Sequence, residues 1–307
     1  MKKIVCFLFL FILLALASCA QQKSTKESSG LFLIRQNGKW GFIDKTGKII
    51  INPQFDDAFN FREGLAGVRI GNKWGFIDKT GKIIINPQFD SAIFFSEGLA
   101  KVEIDKKWGY IDKTGKYVIN PQFDDAINFR EGLAEVEIDK KCGFIDKTGK
   151  YVINPQFDYV DFFYERLAVV RIGNKWGFID KTGKYVISPQ FDYAWNFSEG
   201  LARVAIGDKC GFDKTGHFVP QQLWGYIDKT GKYVINPQFD MAYDFSEGLA
   251  GVRIGNKYGF IDKTGKIIIN PQFDNTGFFS DGLARVAIGD KWGYIDKTGK
   301  YVWNPMD

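Results

Sequence analysis

The chain has 307 residues, 45% of them hydrophobic and 16% aromatic, with 41 basic and 36 acidic side chains for a net charge of +5. That balance is ordinary for a folded domain and argues against a dedicated nucleic-acid binder, whose basic charge is strong and clustered. A single histidine, His217, leaves no Ser-His or Cys-His pair that could recur along the chain for nucleophilic catalysis.

At the start, Lys2 and Lys3 precede an apolar run over 4–17. The run is too short to span a bilayer but suits the apolar stretch of a secretory signal. It stops at Leu16-Ala17-Ser18-Cys19. This tetrapeptide resembles the lipobox of bacterial lipoproteins, and the resemblance implies cleavage before Cys19 and lipid on its thiol. The expected organisation is a lipoprotein signal peptide over 1–18, a lipidated Cys19 and flexible tether over 19–30, and a folded array over 31–307. Residues 20–30, AQQKSTKESSG, are polar and aperiodic, as a tether requires. The membrane is thus an expected partner through the lipid on Cys19, in a bacterial cell envelope. Ala20 stands where inner-membrane retention in enteric bacteria places Asp, which favours the outer membrane over the inner.

From residue 31 one phrase recurs. Its Trp-Gly position falls at Trp40, Trp74, Trp108, Cys142, Trp176, Cys210, Trp224, Tyr258 and Trp292. Successive copies stand 34 residues apart, except that Cys210 and Trp224 are 14 apart. A fixed period of this size marks a repeat array, so function is sought in a repeated surface and not in one unique pocket.

Residues 65–98 serve as one unit. LAGVRI alternates with period two and predicts a strand; Gly71-Asn72 turns the chain; Trp74 to Asp78 predicts a second, aromatic strand. Asp78-Lys79-Thr80-Gly81 reads as a hairpin turn, with Asp accepting backbone hydrogen bonds and Gly taking positive φ. Ile83 to Ile85 predict a third strand, which Asn86-Pro87 is expected to end. The return over 88–98 is expected to carry Phe89, Ala92 and Phe95 inward and to form a short fourth strand. Ile83 and Ile85 oppose Ile84, so both faces of each sheet are expected to be covered by neighbours. The fold class expected is all-β: tandem 34-residue antiparallel β-meander repeats stacked as an open, solenoid-like superhelix, with a closed β-propeller as the alternative. The unequal gap after Cys210 favours the open stack, as a stunted unit over 210–223 among nine WG hairpins.

The WG, FID, DKTGK and EGLA elements resemble the WG-repeat (KWG-repeat) family of bacterial proteins over residues 31–307. The resemblance implies a repetitive β architecture and a role in binding or assembly, and it carries over no catalytic residue. Departures are Cys142, Cys210 and Tyr258 at the Trp position, Arg166 at the Gly of EGLA, and Ser188 at the Asn of NPQFD. Cys142 and Cys210 read as small apolar substitutes for Trp; they lie two periods apart, beyond disulfide reach.

DKTG occurs nine times, and Thr never follows it as in the phosphorylated DKTGT of P-type ATPases. Paired acids such as Asp56-Asp57 and Asp124-Asp125 read as solvated loop residues. The two lysines of each hairpin tip and the Asp and Glu of each crossover suggest a weakly basic edge and a weakly acidic one. No catalytic, cofactor or metal residue is expected, and Cys19 alone is a candidate modification site. The function expected is that of a non-catalytic, membrane-anchored repeat lipoprotein presenting an extended β surface for protein interaction or assembly. The alternative is a carbohydrate or cell-wall binder, with a glycan on exposed Trp195 and Trp303. Specificity is expected at the variable crossover positions Phe59, Ile93, Ile127, Val160, Trp195, Tyr243 and Gly277.

Overall fold

A computed structural model describes residues 30–207, 211–212, 218–219 and 222–304. Every regular element among them is a strand. The first sheet has three strands, Leu31–Gln36, Lys39–Asp44 and Ile49–Phe55, and seven further repeat sheets have four, paired in strict chain order. The chain divides into two compact units, 1–105 with 111–116 and 106–110 with 117–307.

In the first unit the second sheet shows the plan. Its strands are Asp57–Ala58, Ala66–Ile70, Lys73–Ile77 and Ile83–Phe89. The short strand expected at the end of each unit is present, but it opens the next sheet: Asp57 pairs with Arg69 and Ala58 with Val68. The crossover thus commits the chain to the following repeat before its long strands form.

Proline does not end the last strand. Pro87 lies inside Ile83–Phe89, where the register against Lys73–Ile77 slips twice, between Trp74 and Phe76 and again between Phe76 and Ile77. The slip lets an edge strand keep a residue that cannot donate to the ladder. It also explains the glycine of the Trp-Gly pair. A Cβ on Gly75 would stand 2.5 Å from the Ile85 carbonyl oxygen and 2.7 Å from the Pro87 nitrogen. The turn that precedes this strand forms as its sequence predicts. Asp78 Oδ1 accepts from Thr80 N at 2.8 Å, Thr80 Oγ1 at 2.6 Å and Lys82 N at 3.1 Å, while Gly81 takes φ +87°.

The core lies between sheets. Phe42, Ile51 and Phe55 of the first sheet meet Ala58, Phe61, Ala66, Val68 and Ile77 of the second. In the second unit the same pairing of a trailing face with the next leading face recurs. Cys142, Phe144, Ile153 and Phe157 meet Val160, Phe163, Ala168, Val170 and Ile179. Tyr258, Phe260, Ile269 and Phe273 meet Phe279, Ala284, Val286 and Ile295. From the second sheet on, each described tip glycine closes such an interface, as Gly81 does against Ile51 and Gly149 against Ile119. Burial of this kind contributes about 2–3 kcal/mol per large side chain, and no sheet has it alone.

Coverage on both faces holds for Ile85 but not for its neighbours, since Ile83 and Ile84 are exposed on the edge strand. The 14-residue step does not make a stunted sheet. Ala202–Ile206 pairs directly with Leu223–Ile227, and the residues between them carry a two-stranded hairpin, Gly211–Phe212 with Phe218–Val219. The insertion leaves the series of sheets uninterrupted, so the uneven spacing in the sequence does not favour an open stack over a ring.

Candidate binding surface

The acids that recur after the edge strands and in the crossovers are occupied in joining sheets. Asp56 follows the edge strand of the first sheet. Its Oδ1 accepts from Lys39 Nζ in that sheet, and its Oδ2 accepts from Gly71 N in the second at 2.7 Å. Both donors hold its carboxyl below the usual carboxylate range, the lysine most. Asp124 repeats the arrangement with Lys107 and the amide of Asp139. Asp56 and Asp124 are partly exposed between strands, as expected of solvated loop residues, and they tie sheets as well. The crossover glutamates do the same. Glu63 Oε2 accepts from Gly98 N at 3.0 Å and lies 3.2 Å from Lys113 Nζ. Glu165 serves Gly200 N and Lys229, and Glu247 serves Gly282 N and Lys297. The basic tips and acidic crossovers do not segregate into two edges; they pair across repeats.

What varies is a cross-strand row in each sheet. In the second sheet it is Asp57, Arg69 and Trp74; in the fourth Asp125, Glu137 and Cys142; in the fifth Tyr159, Arg171 and Trp176. Arg69 stands 6.0 Å from the centre of the Trp74 ring and Arg171 stands 5.6 Å from that of Trp176. Where Ala205 or Ala287 holds the middle place, an arginine two residues earlier, on the same face of the strand, takes over. Arg203 lies 5.6 Å from Trp224 and Arg285 lies 4.0 Å from Trp292. A guanidinium on an indole face is a favourable contact. The fourth sheet inverts it, because Glu135 and Glu137 occupy both arginine places. Carboxylates against the negative face of an indole are unfavourable, and there Trp gives way to Cys142, which is buried and unbridged.

Glu135 is half-buried and faces Cys142. Burial raises its carboxyl to about 7, Asp161, Asp125 and Glu137 add to the effect, and a hydrogen bond with Cys142 opposes it. The thiol is in turn pushed up to about 12 by burial and then by Glu135. Among the described residues no group of three or more His, Cys, Asp and Glu is placed to hold a metal.

Arg203 is the most deeply held of the arginines. It stands 4.4 Å from the Trp195 ring centre, its Nε donates to Asp244 Oδ1 at 2.7 Å, and its Nη1 donates to the Ala242 carbonyl at 2.6 Å. Aromatic rings continue the surface on either side. Trp176 and Tyr193 stack at 5.9 Å, Tyr193 and Trp224 lie 6.4 Å apart, and Tyr243 stacks on Tyr258 at 5.8 Å and 5°.

The expected specificity positions behave unequally. Phe59 is stacked on Trp74 at 4.7 Å and 8°, and Tyr243 on Tyr258, so both serve packing. Val160 is in the core, and Asp161 takes the place equivalent to Phe59. Trp195 and Trp303 are exposed as expected. Cys19, Cys210 and His217 lie outside the described residues. The arginine–tryptophan partnership was missed from sequence, although Arg at 69 and 171 and the Ala-for-Arg exchange at 205 and 287 signal it.

No curated protein matches the chain. Among solved structures, a eukaryotic initiation factor is 12% identical over 90% of this chain and 84% of its own, with a TM-score of 0.55, a likeness of fold. The dihydro-heme d1 dehydrogenase NirN is 11% identical over 89% of this chain and 72% of its own, with a TM-score of 0.39. Kluyveromyces lactis Hsv2p is 11% identical over 67% and 74%, also at 0.39. The model of the WG containing repeat matches residues 40–74, 74–108, 108–142, 143–176, 176–210, 224–258 and 258–292. With that model matched across most of its length, the chain belongs to the WG-containing repeat family.

Proposed function

We propose that the protein is a non-catalytic binding scaffold, held at a bacterial envelope by lipid on Cys19, that presents its sheets to a protein partner. One observation carries the binding reading: the recurring acids are spent within the framework, on inter-sheet ties at Asp56 and Glu63 and on the turn at Asp78, while Ile84 and Trp195 are exposed. A rigid framework with variable exposed residues is the arrangement of repeat binding proteins. The signal-like run ending at Cys19 supports the anchor, and Ala20 favours the outer membrane. A photo-crosslinking residue at Ile84 or Trp195 in cells is expected to capture one protein reproducibly; adducts no more specific than those from a buried control would refute the partner. Labelled fatty acid incorporated by the wild type but not by Cys19→Ala would support the anchor, and equal labelling would refute it.

A second reading, a glycan ligand, is favoured by Trp195. Its ring rests on Arg203 on one side and is 37% exposed, as sugar-stacking rings are. Titration with envelope polysaccharide is expected to shift tryptophan fluorescence in the wild type and not in Trp195→Ala. An unchanged spectrum would remove this reading.

A further inference from the structure

One crossover turn carries a strain that its counterparts avoid. In the fifth sheet Tyr164 and Leu167 exchange both backbone hydrogen bonds, at 2.8 and 3.0 Å, around the two-residue tip Glu165-Arg166. Both tip residues take positive φ, +49° and +76°, as this kind of tight turn requires. The equivalents of Arg166 are all glycine, from Gly64 to Gly282, at φ +81° to +90°. A long side chain is thus held in the left-handed region where the sister turns show the unstrained choice. Strain of this sort persists where the side chain has a use.

That use is not an internal ion pair. Arg166 is exposed, and the carboxylates around its turn are engaged by lysines. Glu165 serves Gly200 N and Lys229. Glu131, the counterpart of the Glu63 that accepts from Gly98, accepts from Lys181 Nζ at 2.7 Å. A second guanidinium approaches the same turn: Arg130 lies 5.1 Å from the ring centre of Tyr164 and 5.2 Å from that of Phe162. Arg62 rests on Phe94 in a similar way at 3.9 Å, but the turn that follows carries Gly98. Beside Arg130 a cavity is lined by Glu131, Leu133, Phe162, Phe163 and Lys181.

We propose that this corner of the fourth and fifth sheets docks an acidic peptide segment of a protein partner, with a carboxylate on Arg166 and an apolar side chain against Phe162. A guanidinium matches a carboxylate with two parallel hydrogen bonds. The leucine and phenylalanines beside it favour a peptide over an acidic polysaccharide, which presents hydroxyl groups where a peptide presents hydrocarbon. The proposal rests on the protein-partner reading above and names the chemistry of the contact, at residues other than Ile84 and Trp195.

Fluorescence polarisation of a dye-labelled peptide of alternating glutamate and leucine, with the purified full chain at low salt, tests it. The wild type is expected to bind this peptide and not its glutamine-for-glutamate version. Arg166→Gly is expected to weaken binding about tenfold, as loss of one charge-assisted pair does. It should unfold at no lower urea concentration than the wild type, so the loss is not one of folding. Arg166→Lys keeps the charge without the planar fork and is expected to fall between the two. A wild type that does not bind, an Arg166→Gly variant that binds equally, or polygalacturonate bound through Arg166 in place of the peptide would each overturn the proposal. A partner captured by crosslinking while Arg166 proves dispensable would sink this contact alone; an empty crosslinking result would sink the partner reading and leave the measured affinities as they are.

Discussion

Replacing Glu135 with Gln removes a carboxylate that the fold holds against its preference. In the unfolded chain a glutamate titrates near 4.5; in the fold burial raises Glu135 to about 7. The native state therefore keeps its proton over a range in which the unfolded state has lost it. Stability from this group is complete below about 4.5, falls as pH rises, and levels off above about 7. A gap of about 2.5 units at 1.36 kcal/mol each sets a ceiling of about 3 kcal/mol, and partial exposure of the side chain lowers the expectation to about 1–2 kcal/mol. Gln copies the shape and donor capacity of the protonated acid, including its contact with Cys142, without the titration. Urea unfolding of both proteins from pH 4 to 8, followed by tryptophan fluorescence, measures the difference. The variant is expected to match the wild type near pH 4 and exceed it by about 1–2 kcal/mol at pH 8. A difference independent of pH would refute the reasoning, because it would show that Glu135 is solvated enough to ionise normally.

Three further outcomes follow from geometry. Gly177→Ala drives a Cβ to 2.5 Å from the Ile187 carbonyl oxygen; neither backbone can yield cheaply, and a loss of about 2–4 kcal/mol is expected in urea unfolding. Arg166 holds φ +76° where the equivalent Gly200 takes +88°; Arg166→Gly is expected to stabilise by about 1 kcal/mol, since a side chain in the left-handed region costs that much. Cys142→Trp alone is expected to destabilise the fourth sheet, and adding Glu137→Arg is expected to recover about 1 kcal/mol by restoring the pairing of Arg69 with Trp74. Additive single effects in that cycle would refute the arginine–tryptophan rule.

Strands and turns were legible because they are local. Alternation in LAGVRI and the Asp and Gly of DKTG each depend on neighbours within five residues, and both formed as read. The errors concern where one sheet stops and the next starts. Asp57–Ala58 is too short to show a period, and its allegiance to Ala66–Ile70 is a matter of pairing across the crossover. Pro87 reads as a terminator by its missing donor. It is tolerated because the edge strand slips register around Gly75, a device that needs two strands to be visible. The insertion after Ile206 reads as a stunted unit because it copies the repeat's words. Pairing of Ala202–Ile206 with Leu223–Ile227 shows it to be an elaborated hairpin.

The candidate surface was legible only in part, for a related reason. A list of variable positions treats each residue as independent, yet the residues on one face of a twisted sheet vary together. Arg203 with Ala205 carries the same guanidinium to Trp224 that Arg171 carries to Trp176, displaced by the two-residue period of the strand. Glu135 and Glu137 remove it, and the tryptophan disappears with it. The Trp of the WG motif is therefore coupled to its neighbours: an arginine lies on its face at Trp40, Trp74, Trp176, Trp224 and Trp292, although Tyr258 replaces it opposite Arg253. Tolerance of Cys142 then says little about whether Trp is dispensable elsewhere, because the pair was exchanged and not the ring alone. The same coupling limits where a ligand can be read. Phe59 and Tyr243 are committed to neighbouring rings, whereas Trp195 has one face on Arg203 and its other side open, so variation at Trp195 can change a contact with a partner without first breaking a contact within the sheet.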